Sequence, residues 1–248
     1  MESILFLAEF LGTATLILLG NGVNYSVNAT KMFANQSGKW IVIALGWALG
    51  VLLGIIVSNG ITSASVAHLN PAVSIFFAIS EKKAELLALI PFEILGAIFG
   101  QTILNTINWP HIKETKAEVI ASCHHTGPAY QKSYVTNFLY EFVGTIVLLG
   151  TIFLLKKSFP TMRPVIVALI VLSIGLSLGS STGYAINPAR DFGPRLVYFM
   201  FATLILKKRK EFATVGNWKE ILGFSYAWNP IIAPSLAGLI LGLITLAV

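Results

Sequence analysis

HLNPAVS at 68–74 and TGYAINPARDFGPR at 182–195 decide how this chain is built. Each holds an Asn-Pro-Ala triplet, Asn70-Pro71-Ala72 and Asn187-Pro188-Ala189, and each opens an apolar segment too short to cross a bilayer. Asparagine is a good helix N-cap, and proline is favoured in the first helical turn. Helices are therefore expected over 71–80 and 188–200. At 1.5 Å rise per residue such segments reach roughly 15–20 Å, about half of a hydrocarbon core. Both read as half-helices whose N-termini lie at mid-membrane depth. Irregular backbone is tolerated there only where it is buried in protein or lines a wet cavity, which points to a channel or transporter.

Outward from these stretches, six apolar segments read as full spans: 4–23, 40–59, 86–107, 134–155, 164–181 and 228–248. Each is close to the roughly 20 residues that a bilayer requires. Composition agrees. Of 248 residues, 55% are hydrophobic and 11% charged, and the mean hydropathy is +0.77. A soluble domain carries roughly a quarter charged residues, so a water-solvated enzyme and a disordered chain are both excluded. The single cysteine, Cys123, excludes an intrachain disulfide framework and a multi-cysteine metal site. The net charge of +6 sits in loops and makes a poor case for nucleic acid. The first apolar run lacks a basic leader and reads as a span, with no cleavable signal evident.

The chain also repeats itself. LAEFLGT at 7–13 returns as LYEFVGT at 139–145, and NPAV at 70–73 returns as NPAR at 187–190. Each copy runs Glu-bearing span, span, half-helix, span, over 1–107 and 134–248, with 108–133 as the connection. Three spans per copy force the second into the opposite orientation, and inverted repeats place their site at the midplane. The expected fold is an all-α membrane protein, one channel domain over 1–248. Glycines four apart, Gly46/Gly50/Gly54 and Gly175/Gly179/Gly183, read as helix-packing ridges.

Two half-helices meeting head to head bring two positive dipole ends to one point. The amides of Asn70 and Asn187 would cap their helices and direct N–H donors into a pore. A cation there meets positive potential and no carboxylate to replace its hydration. Carbonyls of the extended entry loops, 65–69 and 182–186, would form a ladder of acceptors. Glu9 and Glu141 are costly inside spans and read as braces for those loops. Glu93 is a third acid, near a helix end or a subunit contact, without an assigned role. Arg190, one turn into the second half-helix, should face the pore mouth with its fork of donors. His68 either faces the inner vestibule or is packed. His111, His124, His125 and Cys123 read as parts of a solvated loop, and Lys207–Lys210 as a solvated or headgroup-facing run.

The two Asn-Pro-Ala stretches and the two E-F-x-G-T span starts resemble the aquaporin superfamily, the major intrinsic proteins, over essentially the whole chain. Asp191 and the flanking TGYA and DFGPR resemble the glycerol-facilitator, or aquaglyceroporin, branch. The resemblance implies six transmembrane helices, two re-entrant half-helices and an inverted repeat. It implies a passive channel for glycerol and other small uncharged solutes, with water, that excludes ions and protons. No catalytic residue, cofactor or metal is implied. The selectivity filter would be Trp47, Gly175, Tyr184 and Arg190, with Tyr184 standing where many relatives have Phe. Gly50 replaces Trp47 if the loop carries no insertion near 63–66.

Pore-lining carbonyls would come from Ala67, His68, Leu69, Thr182, Gly183 and Ala185, with Glu9 and Glu141 bracing the loops. Gly175 leaves open a width that His would close, which argues against the alternative of a water-selective aquaporin. An ion-coupled secondary transporter, the other alternative, would need a carboxylate site. The implied setting is a homotetramer in the lipid bilayer of the plasma membrane, multi-pass, with cytoplasmic termini. That orientation leaves five Lys and Arg residues inside and ten outside, whereas the positive-inside rule prefers the reverse. Passengers besides glycerol and water would include urea, dihydroxyacetone, lactic acid and hydrogen peroxide. No nucleic acid partner is expected.

Overall fold

A computed structural model describes residues 3–63, 67–155, 160–204 and 218–247. Eight helices carry the apolar mass: α1 (Ser3–Asn28), α2 (Lys39–Ile61), α3 (Pro71–Ser80), α4 (Ile90–Ile107), α5 (Tyr134–Leu154), α6 (Arg163–Ser177), α7 (Pro188–Leu204) and α8 (Asn229–Leu246). Helices over Ser3–Asn28, Lys39–Ile61, Ala84–Ile107, Tyr134–Leu154 and Phe224–Leu246 are long and apolar enough to cross a membrane. α6 is shorter, at 15 residues. Its expected span to 181 divides at Ser177, and 3₁₀ turns at Pro160–Met162 and Gly179–Ser181 extend it at both ends. α7 runs four residues past its expected end at 200, because the apolar stretch Tyr198–Leu204 continues the helix.

The helices pair in matched fashion. α1 packs on α2 and α4, while α5 packs on α6 and α8. Each short helix crosses to the other half: α3 lies on α8 and α7 lies on α4, with α2 against α6. Missing side chains permit the closest approaches. A Cβ on Gly54 would lie 2.8 Å from the Gly12 carbonyl, and one on Gly100 would lie 2.4 Å from that of Ala14. The backbone of α1 thus rests directly on both neighbours, as small residues allow in lipid. The opposite face of α2 presents Leu45, Leu49, Leu53 and Ile56 outward, the surface expected of a helix that is apolar all round.

The segment 108–133 is not the solvated loop expected of it. It forms two short helices, Trp109–Glu114 and Ala117–Ser122. Ile112, Ile120, Cys123 and His124 are fully buried, against Tyr25 and Tyr198. Apolar burial explains the departure: Ile112, Ala117 and Ile120 share one cluster with Leu104 and Ala202, so the segment closes over one end of the bundle. The His111 ring sits 2.8 Å from the Thr30 carbonyl. Burial pushes the Cys123 thiol up to about 12 and holds His124 down at about 4. Most of the suggested insertion at 63–66, and the basic run Lys207–Lys210, lie outside the described residues.

Candidate functional site

The site is built on two loops that end in Asn70 and Asn187. Their backbones alternate in handedness: Ala67 and Leu69 have φ of +47° and +54°, and Tyr184 and Ile186 have +37° and +41°. Each such residue without glycine's freedom costs about 1–3 kcal/mol and persists only where its surroundings dictate it. Buried carboxylates dictate it here. Glu9 accepts from the N–H groups of His68 (2.9 Å) and Leu69 (2.6 Å). Glu141 accepts from those of Ala185 (3.0 Å) and Ile186 (2.8 Å). The alternating twist turns two consecutive amides toward one carboxylate, and charge-assisted bonds of this kind are about twice as strong as neutral ones.

Asn70 and Asn187 tie the two loops together. Asn70 Oδ1 accepts from the Ala72 amide at 2.9 Å, which caps α3 with Pro71 in its first turn. Asn187 Oδ1 accepts from the amides of Ala189 (3.0 Å) and Arg190 (3.2 Å), at the start of α7 behind Pro188. Each Nδ2 then reaches across. That of Asn70 donates to the Ile186 carbonyl at 2.9 Å, and that of Asn187 to the Leu69 carbonyl at 2.8 Å. An amide nitrogen has two hydrogens, so one on each Asn is spent on the opposing loop and one remains. The sequence reading had the Asn side chains cap their helices and aim their N–H donors at the pore, and missed this reciprocal clasp.

One cavity contains the clasp and a second meets it at Arg190. The larger, about 370 Å³, extends from Arg163 past His68 and Asn70 to Arg190. The other, about 340 Å³, opens among Asn28, Trp40, Gly127 and Gly183. Trp47, Tyr184 and Arg190 line both and form the partition between them. The Arg190 guanidinium carbon lies 3.9 Å from the Trp47 ring centroid. Its Nη1 contacts the His124 carbonyl at 3.4 Å and Asn21 Oδ1 at 3.5 Å. Trp47 is held in turn by Asn24 Oδ1, at 3.4 Å from its indole nitrogen.

Gly175 serves the partition differently from the sequence reading. A Cβ there would lie 2.8 Å from Tyr184 Cζ, so the phenol ring occupies the space beside it. The Tyr184 hydroxyl is buried and has no hydrogen-bond partner among the described residues. Gly50 packs against α1, where its Cβ would meet the backbone of Leu16 and Gly20 at 3.2 Å. Of the two, only Trp47 reaches the cavities.

The other expected residues divide. Ala67, His68, Leu69 and Ala185 line the larger cavity, and Gly183 lines the other. Thr182 lines neither; its hydroxyl accepts from the Tyr184 amide at 3.3 Å. Asp191 faces away and binds Arg195 Nε at 2.7 Å and the Thr126 amide at 2.8 Å. Arg195 also donates to the Thr126 carbonyl at 2.9 Å, so this buried pair pins the 108–133 segment to α7. Glu93 sits near a helix end, in the first turn of α4, but on no outer surface. It is fully buried and accepts from Ser74 Oγ at 2.6 Å.

Several residues of the site escaped the sequence reading. Trp40 donates to the Gly175 carbonyl at 3.0 Å and stands edge-on to Tyr184. Asn21, Asn24, Gln101 and Asn105 form a buried polar network behind Trp47 and Arg190. Four amides inside apolar spans are themselves a signal, since each needs a partner in lipid. Arg195, four residues after Asp191, carried the spacing of a helical ion pair. Among the described residues, no three His, Cys, Asp or Glu side chains gather so as to hold a metal ion.

Comparison with known proteins gives consistent findings. The family model described as "Major intrinsic protein" matches residues 3–245. The chain is 42% identical over 242 residues to the "Probable glycerol uptake facilitator protein" of Mycoplasmoides gallisepticum, covering 96% of this chain and 94% of that protein. It is 41% identical over 234 residues to the "Glycerol uptake facilitator protein" of Streptococcus pneumoniae strain R6, covering 91% of each. Among solved structures it is similar to the aquaglyceroporin from Plasmodium falciparum, with a TM-score of 0.77 and 28% identity, over 97% of this chain and 94% of that one.

Proposed function

The chain belongs to the major intrinsic protein family, and we propose that it is a passive transmembrane channel for glycerol and other small uncharged solutes, together with water. It is a channel and not an enzyme. The observation that carries this reading is the partition: two aromatic rings and one fixed cation, Trp47, Tyr184 and Arg190, separate two cavities whose linings share no other described residue.

The partition matches the two-sidedness of a polyol. Carbon–hydrogen groups slide along the apolar corner of Trp47 and Tyr184. Hydroxyl oxygens accept from the Arg190 fork, and hydroxyl hydrogens go to loop carbonyls such as those of Ala67 and Ala185. Past the partition, the free N–H of Asn70 and of Asn187 holds the passing oxygen at the clasp. A water held there as acceptor toward both amides is turned away from relaying a proton. Cations meet Arg190 and the positive ends of α3 and α7, and apolar walls cannot replace an ion's hydration shell. Glu9 and Glu141 offer no compensation, because their oxygens are taken by loop amides.

The two alternatives have less support. A water-selective pore would need a bulky donor at position 175, where this chain has glycine with a tyrosine ring against it. An ion-coupled transporter would need free carboxylates near the midplane. Glu93 bonds Ser74 through Oε1, is fully buried and lines neither cavity, and the other two brace loops.

The finer setting is also part of this proposal. The two halves, 1–107 and 134–248, act as inverted repeats; the clasp and the matched helix pairings support that reading. The chain assembles as a homotetramer in the plasma membrane with cytoplasmic termini. Urea, dihydroxyacetone, lactic acid and hydrogen peroxide are additional passengers. Uptake of labelled glycerol into proteoliposomes, with proton and sodium gradients imposed or collapsed, tests the mechanism. Uptake independent of both gradients is expected; uptake driven by either would replace the channel with a coupled transporter.

A further inference from the structure

Asn21 lies behind the partition and lines neither cavity. It is completely buried on α1, and its carboxamide meets three other parts of the chain. Nδ2 donates to Gln101 Oε1 on α4 at 2.6 Å and to the His124 carbonyl at 2.8 Å. Oδ1 accepts from Asn24 Nδ2 at 3.2 Å and from Arg190 Nη1 at 3.5 Å. Asn24 Oδ1 in turn accepts from the Trp47 indole at 3.4 Å. One amide therefore connects to both members of the stacked Arg190–Trp47 pair.

Counting hydrogens leaves this network a single direction. A guanidinium only donates, and a backbone carbonyl only accepts. Asn21 must then turn Oδ1 to Arg190 and Nδ2 to His124. Both hydrogens of Nδ2 are spent on His124 and Gln101, so the bond from Asn24 ends on Oδ1. Asn24 is left with its own Oδ1 for Trp47, whose indole only donates. Gln101, having given Oε1 to Asn21, directs Nε2 to Asn105 Oδ1 at 2.9 Å, where the Tyr25 hydroxyl also donates at 3.1 Å. Every member is neutral except arginine, which stays charged. Arg190 is buried, and among the described residues no carboxylate pairs with it.

We propose that Asn21 positions the partition: one carboxamide, held by Gln101 and the His124 carbonyl, sets the direction of the Arg190 fork and, through Asn24, the tilt of the Trp47 ring. Asn21 is a positioning residue; Arg190 and Trp47 meet solute. The bonds that fix Asn21 to α4 and to His124 are short, and those it extends toward the partition are longer, so the frame is tight and the two filter residues hang on it. The Asn21 and His124 oxygens both take Nη1, which leaves the Nε and Nη2 donors to the cavities that Arg190 lines. The consequence for selectivity rests on the polyol-channel reading, but the positioning itself does not.

The test is nitrogen NMR of the full-length protein in lipid, labelled at arginine and tryptophan, with signals assigned by difference from Arg190→Lys and Trp47→Phe. The wild type should show separate signals for the two Nη groups of Arg190, because a tethered guanidinium turns slowly. Asn21→Leu, close in volume and without polar atoms, should merge them and shift the Trp47 indole signal. It should also reduce the preference for glycerol over xylitol several-fold while water flux changes less. Asn21→Asp keeps an acceptor of the same shape and should keep the Arg190 signals apart. Identical Arg190 signals in the wild type, Asn21→Leu and Asn21→Asp would overturn the proposal, as would merged signals in the wild type. If Asn21→Leu does not fold, Asn24→Leu carries the test through Trp47, and an unshifted indole there overturns the tether. The expected signals across this series in a protein that passes no glycerol would uphold the positioning and sink the channel reading, so the two failures are distinct.

Discussion

The Arg190 guanidinium stacks on the Trp47 indole, its central carbon 3.9 Å from the ring centroid, at the partition shared by both cavities. The ring does two things at once: it walls the apolar side and holds the cation that faces it. A desolvated contact of this kind is worth about 2 kcal/mol or more. Trp47→Ala should therefore loosen Arg190 as well as widen the partition. Glycerol and a longer polyol such as xylitol, compared by proteoliposome swelling, should lose most of their difference in rate in this variant. Arg190→Lys keeps the charge but not the planar fork, and should slow glycerol more than water.

Gly175 gives the second prediction. Any side chain there displaces the Tyr184 ring, since even a Cβ would approach it to 2.8 Å. Gly175→His should suppress glycerol flux by about tenfold or more while changing water flux much less. A steric block of about 1.4 kcal/mol suffices for that factor. Parallel glycerol and osmotic water measurements on one preparation check it.

Glu9 and Glu141 should behave as equivalent braces. In Glu9→Gln or Glu141→Gln, the new amide group turns a donor toward a backbone N–H that has no other partner. An unsatisfied buried donor costs about 1–3 kcal/mol. Both variants should lower the thermal unfolding midpoint in detergent by similar amounts. A fall for one and none for the other would contradict the matched bracing of the two loops.

The family's architecture was legible because its marks are local. An Asn-Pro pair heading a short apolar run, twice, and a Glu in the matching span, twice, suffice to place α3, α7 and their braces. Trp47, Tyr184 and Arg190, which line both cavities, were also within reach, because two of them sit at short fixed distances from Asn187. What escaped depends on contacts distant in sequence. The clasp joins Asn70 to Ile186 across 116 positions, and nothing near either residue announces it. The positive φ at Ala67, Leu69, Tyr184 and Ile186 is equally silent, since none is a residue type that favours that region. The 108–133 segment was misjudged for another reason. Its polar composition hid three apolar residues, Ile112, Ala117 and Ile120, that together cover the end of the bundle.

That covered segment yields a chemical prediction. The Cys123 thiol is fully buried and pushed up to about 12 by desolvation. Thiolate is the reactive form. The native protein should therefore resist a thiol reagent at pH 8, and the denatured protein should react at once. Rapid modification of the native protein would show that the segment opens.

Asp191 and Arg195 fasten the same segment. Removing one partner of a buried ion pair leaves the other uncompensated, typically at a cost of about 3–5 kcal/mol. Asp191→Asn should release Thr126 and expose residues 108–133 to limited proteolysis, well before the membrane helices are cut.

The central claim is that a partition of Trp47, Tyr184 and Arg190 passes a polyol. Stopped-flow light scattering of proteoliposomes containing the purified wild-type chain tests it most directly. Under an inward glycerol gradient, recovery of vesicle volume should be much faster than in empty liposomes of the same lipid, and Gly175→His should abolish the excess. Glycerol entry no faster than in empty liposomes, alongside fast water flux, would contradict the claim and leave a water-selective pore.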